Sequence, residues 1–262
     1  MHIAIAQSPG KLKGFEERIN WAEKKIISIK NNKINLIVFP ELYTCGYNSG
    51  SYIKQSAENR LGKSFLAFSK LAKFFNIGIS YGYAEKKGTK IYNSAQFIDS
   101  NGLSLHNHRK LILEASGYES KYFATGTSIE VFKYQGFKIA TLICYDAEFP
   151  ETVRMAAHKG AELLLVPTAL SNHWDWVAEK MMPTRAHENG IFLAYANHCG
   201  KEKKLSYLGS SFITSPNGKD LARIKNRPGI ITAKLNFSEI KIAQSRLPYQ
   251  KDIKRIKLKK LI

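Results

Sequence analysis

The stretch Lys138-Ile139-Ala140-Thr141-Leu142-Ile143-Cys144-Tyr145-Asp146-Ala147-Glu148-Phe149-Pro150-Glu151 holds the most informative pattern in the chain. Its apolar, partly β-branched run Ile139 to Ile143 predicts a buried strand, and the run breaks off on a cysteine followed by polar residues. Pro150, with its fixed φ and missing N–H, suits the first turn of a helix, and Glu151 to Lys159 continues a helical pattern. A thiol at the carboxyl end of a strand, just ahead of a helix, stands where open α/β sheets place their ligands. The same turn presents nucleophiles in other hydrolases. Taken alone, the segment favours a buried structural cysteine; the groups that accompany it reverse that preference.

Toward the N-terminus, Leu36-Ile37-Val38-Phe39 reads as a second buried strand, stopped by Pro40, with Glu41 directly after it. Before it lie a strand from Ile3 to Gln7, a turn at Ser8-Pro9-Gly10, and a helix from about Phe15 to Lys30. The apolar residues Ile19, Ala22, Ile26 and Ile29 of that helix recur at helical spacing, and Asn31-Asn32 stops it. A helix over Gly62 to Phe75 and a strand over Ile77 to Tyr81 follow. Tyr92 to Ile98 and Gly102 to Leu105 flank the turn Asp99-Ser100-Asn101-Gly102 as a hairpin that delivers the chain to His108-Arg109-Lys110. Leu111 to Gly126 reads as a loop with a short helix, and Ser128 to Tyr134 as a strand turned at Gly136.

On the far side, Leu163 to Val166 is a short strand ending on Pro167, followed by an aromatic-rich loop through Asn172, His173, Trp174 and Trp176. A helix over Val177 to Asn189 ends at Gly190. Strands at Ile191 to Asn197, Ser210 to Ser215 and Ile230 to Lys234 surround the turn Pro216-Asn217-Gly218. Without linker, repeat or low-complexity segment, this alternation argues one α/β domain with mixed sheets over residues 1–262, carrying a basic tail from about residue 246.

Composition narrows the classes. With 262 residues, 44 % hydrophobic, 14 Phe and 13 Tyr, the chain can bury a sizeable core. Cys45, Cys144 and Cys199 are too few and too scattered for a disulfide framework or a zinc cluster. No His/Asp/Glu cluster has metal-ligand spacing and no Gly-rich phosphate loop occurs, so neither metal nor cofactor is expected. The N-terminus lacks the order of a signal peptide, and no apolar run approaches the roughly 20 residues that span a bilayer. A reduced, cytoplasmic enzyme without a membrane partner is the expectation. The formal charge of +19 comes mostly from lysines on amphipathic segments. Their one dense cluster is Lys251 to Lys260. No nucleic-acid-binding pattern accompanies it, so a solvated lysine-rich surface with incidental polyanion binding explains the charge better than a nucleic-acid partner.

Three strand-like segments thus end on candidate reactive groups: Phe39-Pro40-Glu41-Leu42, His108-Arg109-Lys110-Leu111 and Leu142-Ile143-Cys144-Tyr145-Asp146. In this order they resemble the nitrilase superfamily of carbon–nitrogen hydrolases and its Glu–Lys–Cys triad. Gly160-Ala161-Glu162 to Ala169 and Tyr195-Ala196-Asn197-His198-Cys199-Gly200 extend the resemblance along the chain. It implies a four-layer αββα sandwich, paired as a homodimer or higher homo-oligomer through the helices next to the site. It also implies Cys144 as nucleophile, Glu41 as general base and Lys110 as stabiliser of the thiolate and oxyanion. The backbone N–H of Tyr145 would be a second oxyanion donor, such donors being worth about 3–4 kcal/mol in a dry site. Glu119, seven residues before Gly126, matches a second glutamate that orients the lysine, with Glu114 as its rival. His173, His187 and His198 have no spacing that sets an imidazole beside the thiol, and Cys45 and Cys199 read as packing residues.

The run from Cys144 to Glu151, with Pro167-Thr168-Ala169 and Pro183 to Asn189, resembles the aliphatic amidase branch, whose members hydrolyse small linear amides such as 5-aminopentanamide. An N-carbamoyl amine hydrolase is the alternative. A true nitrilase is disfavoured by Tyr145, where those enzymes carry tryptophan, and a retired binding protein by the intact triad. Tyr145, Glu148, Asn172 and Trp174, with Trp176, are the candidates for the substrate pocket. Glu148 or Asp146 would receive a substrate ammonium or, equally, form a salt bridge with Arg154 or Arg185.

Overall fold

In the computed structural model, which describes residues 1–255, alternate residues of each central strand serve two different interfaces. Along β1 (His2–Pro9), Ile3 and Ile5 face a second sheet while Ala4 and Ala6 face helices. The period of two along a strand produces this division, and both faces are apolar because both are covered.

The first sheet has eight strands. Its parallel centre is β1, β2 (Leu36–Val38) and β3 (Gly78–Lys87), followed by the antiparallel β4 (Lys90–Ile98) and β5 (Ser104–Arg109). The second sheet has six strands, with β6 (Val131–Tyr134), β7 (Phe137–Thr141), β8 (Leu163–Pro167) and β9 (Phe192–Ala196) adjacent in that order. β7, β8 and β9 are parallel. β10 (His198–Glu202) and β11 (Leu205–Leu208) extend the first sheet beyond β1, β12 (Phe212–Thr214) and β13 (Asp220–Arg223) extend the second beyond β9, and β14 (Gly229–Lys234) runs antiparallel to β1.

Ile139, Leu163, Leu165 and Phe192 of the second sheet pack on Ile3, Ile5, Leu36 and Val38 of the first. The outer face of the first sheet is covered by α1 (Gly14–Ile29) through Ala22, Ile26 and Ile29. α3 (Lys63–Phe75) covers it through Phe68, Leu71 and Ala72. The outer face of the second sheet is covered by α4 (Pro150–His158) through Val153 and Ala156, and by α5 (Met182–Asn189) through Met182 and Ala186. Helix, sheet, sheet, helix: the molecule is the αββα sandwich that the resemblance implied.

Several elements depart from the sequence expectation. β3 runs on through Lys87 and turns tightly into β4 at Gly88, because ladder pairing with β4 continues to Lys87–Lys90. The polar segment from His198 to Leu208 folds as a hairpin although it lacks an apolar alternation. A short α2 (Tyr52–Ser56) and the helix α6 (Phe237–Arg246) were not anticipated; the latter is capped by Asn236, whose side chain accepts from the Ser238 N–H. The helix expected over Val177 to Asn189 begins as a π turn over Val177–Met181 before α5, with Pro183 in the first α-helical turn. Of the expected basic tail, residues 256–262 lie outside the described residues; the chain before them forms α6, α7 (Tyr249–Asp252) and a turn at Ile253–Arg255. Among the described residues no helix is long and apolar enough to cross a membrane.

Candidate active site

β5 is antiparallel to β4, and β4 to β3, so β5 points the same way as β2 and β3. Its carboxyl end therefore lies at the same edge of the first sheet as that of β2. Glu41 follows β2, Lys110 follows β5, and Cys144 follows β7 of the facing sheet. The three segments predicted to end on reactive groups converge at one end of the sandwich.

Glu41 is wholly buried. Its Oε1 accepts from Lys110 Nζ at 2.9 Å and from Asn93 Nδ2 at 2.7 Å. Its Oε2 is buried with no hydrogen-bond partner among the described residues. The backbone behind it is held as well. His198 Nε2 donates to the Glu41 carbonyl oxygen at 2.8 Å, which leaves Nδ1 to accept from the Ser8 hydroxyl, also at 2.8 Å. Burial pushes the His198 pKa down to about 3, so this imidazole is neutral. Gly82 of β3 makes room for the turn. A Cβ there would overlap the backbone N of Leu42 and come within 2.6 Å of the Pro40 carbonyl oxygen.

Lys110 is 1 % exposed and its Nζ also donates to Glu119 Oε1 at 2.6 Å. Burial alone would lower its pKa, but Glu41, Cys144 and Glu119 together hold it well above the ordinary lysine value. Glu119 Oε2 is fixed by the backbone N–H of Glu114 at 2.9 Å. Glu114, the rival glutamate, turns its carboxylate back to Ser116, whose N–H it accepts at 2.8 Å. One buried ammonium thus lies between two buried carboxylates. Burial, joined by the charge of Glu119, raises the pKa of Glu41 against the pull of Lys110.

Cys144 sits in the left-handed region at φ 47°, a conformation costing a non-glycine residue roughly 1–2 kcal/mol. Its thiol is pushed up from the ordinary cysteine value by burial and by Glu41. Lys110, the Thr168 side chain and the Ala169 backbone pull the other way. None of the three histidines considered as partners lines the cavity around this sulfur. His173 is exposed, His187 faces the Asn217 carbonyl oxygen at 3.3 Å, and His198 stands behind Glu41.

That cavity has a volume of about 740 Å³ and is lined by Lys110, Cys144, Tyr145, Glu148 and Trp174, among others. Tyr47, Lys204 and Leu205 also line it and were not anticipated. Tyr47 lies in the loop after Glu41, and burial with the charges of Glu119 and Glu41 raises its hydroxyl pKa. Lys204 and Leu205 come from the β10–β11 hairpin, which has no strand pattern of its own. Asn93 was missed because an asparagine inside a strand has no local signal for what it faces.

Two expected pocket residues stand elsewhere. Asn172 is exposed and absent from the wall, its backbone N–H taken by the Ser206 carbonyl oxygen at 3.0 Å, and Ser171 lines the cavity instead. Trp176 is 60 % exposed and also lies off the cavity.

The two acidic candidates separate sharply. Asp146 is fully buried and does not reach the cavity: its Oδ1 accepts from the N–H groups of Leu111 and Ile112, both at 2.9 Å. Its Oδ2 accepts from the Ile143 N–H and from His108 Nε2, both at 3.1 Å. It is neither a receptor for a substrate ammonium nor a partner of Arg154 or Arg185. Among the described residues the Glu148 carboxylate has no such ties. Arg185 donates to the Glu148 carbonyl oxygen at 2.7 Å rather than to its carboxylate, and both Arg185 and Arg154 pair with Glu188. Burial raises the Glu148 pKa while Lys110 and Arg185 oppose the rise.

Known proteins resemble this chain along most of its length. The carbon–nitrogen hydrolase family model matches residues 2–244. A 2-oxoglutaramate amidase from Bacillus subtilis is 30% identical over 91% of this chain and 92% of its own length. An N-carbamoylputrescine amidase from Arabidopsis thaliana is 29% identical over 84% of this chain and 81% of its own. Among solved structures, a mutant of the amidase from Nesterenkonia sp. AN1 superposes with a TM-score of 0.86 at 28% identity, covering 96% of this chain and 93% of that one. In that structure the acetamide moiety of fluoroacetamide is covalently added at the active site cysteine.

Proposed function

The chain belongs to the carbon–nitrogen hydrolase family, and on that footing we propose that it hydrolyses the C–N bond of a small linear amide, through a thioester on Cys144. The observation that carries the proposal is the division of labour within one carboxylate: Glu41 Oε1 is committed to Lys110 and Asn93, and Oε2 has no partner among the described residues. The free oxygen takes the thiol proton as Sγ attacks the amide carbon. The oxyanion is received by Lys110 Nζ and the Tyr145 N–H. Glu41 then passes its proton to the leaving nitrogen, ammonia departs, and the thioester remains. Water attacks that thioester with Glu41 again as base, releasing the carboxylic acid and restoring the thiol. Glu119 orients Lys110 throughout.

The free carboxylate of Glu148 on the cavity wall favours an ω-amino amide, whose ammonium it would receive beside the aromatic faces of Tyr145 and Trp174. The same carboxylate suits an N-carbamoyl amine, the substrate type in the name of the Arabidopsis relative. A panel of linear amides, ω-amino amides, carbamoyl amines and nitriles, scored for ammonia and carbon dioxide, tests the reading. Ammonia without carbon dioxide from an amide supports the amidase; stoichiometric carbon dioxide replaces it with the carbamoyl reaction. Cys144→Ala should remain folded and lose all turnover, and ammonia release surviving in that variant would falsify the nucleophile assignment. Pairing through α4 and α5 belongs to the same reading, with Met155 of α4 half exposed on that face; light scattering measures it.

A further inference from the structure

Lys110 follows a strand of one sheet and Cys144 a strand of the other, so no strand ladder sets one against the other. We infer that His108 and Asp146 are a positioning pair that holds the Lys110 segment in register with the Cys144 turn. The inference rests on the amidase reading for its catalytic meaning, and on the following contacts for its geometry. Asp146 is two residues past Cys144, and one of its oxygens takes both N–H groups that follow Lys110, those of Leu111 and Ile112. The other oxygen takes the N–H of Ile143, the residue before the nucleophile, and the Nε2 hydrogen of His108. A single buried carboxylate therefore joins the backbone on the C-terminal side of the lysine to the backbone on the N-terminal side of the cysteine.

His108 completes the arrangement. It is two residues before Lys110 on β5, so its ring leaves the strand on the same face as the lysine. It is almost fully buried, and its bond to Oδ2 fixes which way the Asp146 carboxylate is turned. Without that bond the carboxylate can rotate away from the Ile143 N–H, and the two segments lose their common anchor. Neither residue lines the cavity that holds Cys144, so neither is a catalytic residue; both act through the placement of others. A displacement of about 1 Å in such a placement costs on the order of 10²-fold in rate.

The test compares His108→Ala with His108→Gln, whose amide nitrogen reaches the position of Nε2 and donates to the same oxygen. For an amide that the wild type turns over, kcat per folded molecule should fall on the order of 10²-fold in His108→Ala with KM little changed, and should largely recover in His108→Gln. Folded fraction is taken from near-UV circular dichroism and thermal melts. Iodoacetamide alkylation of Cys144 supplies a readout independent of the substrate: its rate should fall in the alanine variant and recover in the glutamine variant. A kcat and an alkylation rate both equal to wild type in folded His108→Ala overturn the proposal, as does a loss that the glutamine leaves unrepaired. If the wild type turns over no amide at all, the amidase reading fails by itself, and the alkylation series still decides whether His108 sets the cysteine.

Discussion

Lys110 Nζ meets the Glu41 carboxylate through Oε1 alone, at 2.9 Å, and the other oxygen of that carboxylate stays unbonded among the described residues. The pair is thus joined on one side and reactive on the other. Glu41→Gln keeps an oxygen for Lys110 and removes the base, so turnover should fall by about 10²- to 10⁴-fold. The melting temperature should change little by comparison. Steady-state ammonia release and a thermal melt of the same preparation check both halves.

The acid limb of kcat/KM should reflect Glu41, because the thiol can be deprotonated only by its ionised form. Burial and the neighbouring Glu119 raise its pKa, so the limb should lie above the ordinary glutamate value and rise with pH. Lys110 is held well above its ordinary value and stays cationic through neutrality. Glu41→Gln should remove the limb from the residual rate. A profile limited at an unperturbed glutamate value would contradict the assignment.

Glu148→Gln should raise KM for an ω-amino amide by about 10- to 100-fold, the worth of a hydrogen bond to a charged group. Neutral amides of equal length should bind as before. The Glu148 pKa is raised, first by burial, so in the wild type affinity for the cationic substrate should weaken on acidification while ordinary surface glutamates are still ionised. Initial rates over pH for the paired substrates measure the difference.

Gly82→Ala should disturb the turn that bears Glu41, since a methyl group at that position meets the backbone of Pro40 and Leu42 rather than a side chain that could move aside. Overpacking of this kind costs about 1–3 kcal/mol. Urea titration should show the loss of stability, and the surviving folded enzyme should be slower than wild type.

Two buried histidines make the fold sensitive to acid. Burial lowers His198 to about 3 and His106 to about 4. Between the ordinary histidine value and these depressed ones, the unfolded chain binds protons that the folded chain refuses, so stability falls as pH drops. Each group contributes a slope of about 1.4 kcal/mol per pH unit in that window. His106→Phe keeps the stack on Phe132 and should reduce the slope measured by urea unfolding between pH 6.5 and pH 4 by about one such increment.

The sheets and their helices were legible because apolar period carries them: Ile3 to Gln7, Leu36 to Phe39, Ile139 to Ile143 and Leu163 to Val166 each hold a central strand, the second ending at Val38 and the third at Thr141. Glu41 and Cys144 each follow such a strand, whereas Lys110 follows β5, a polar edge strand expected to end at Leu105, so its place rested on the resemblance. What escaped the sequence depends on partners. His198 to Leu208 pairs with itself and with β1 rather than obeying an alternation of its own. Ser171 rather than Asn172 lines the cavity, in a loop whose Asn172 N–H is tied to the Ser206 carbonyl oxygen of β11. Asp146 and Glu148 look equivalent in a motif, and only the direction of each side chain makes one an internal brace and the other a free carboxylate.

The uneven charge around Lys110 also bears on how turnover ends. Two buried carboxylates share one buried ammonium. The acid released from Cys144 becomes an anion beside an ammonium already paired with two carboxylates, the other lysine on the cavity wall being Lys204. Electrostatic repulsion drives it outward, so the enzyme should be poorly inhibited by its own acid product and reluctant to run in reverse.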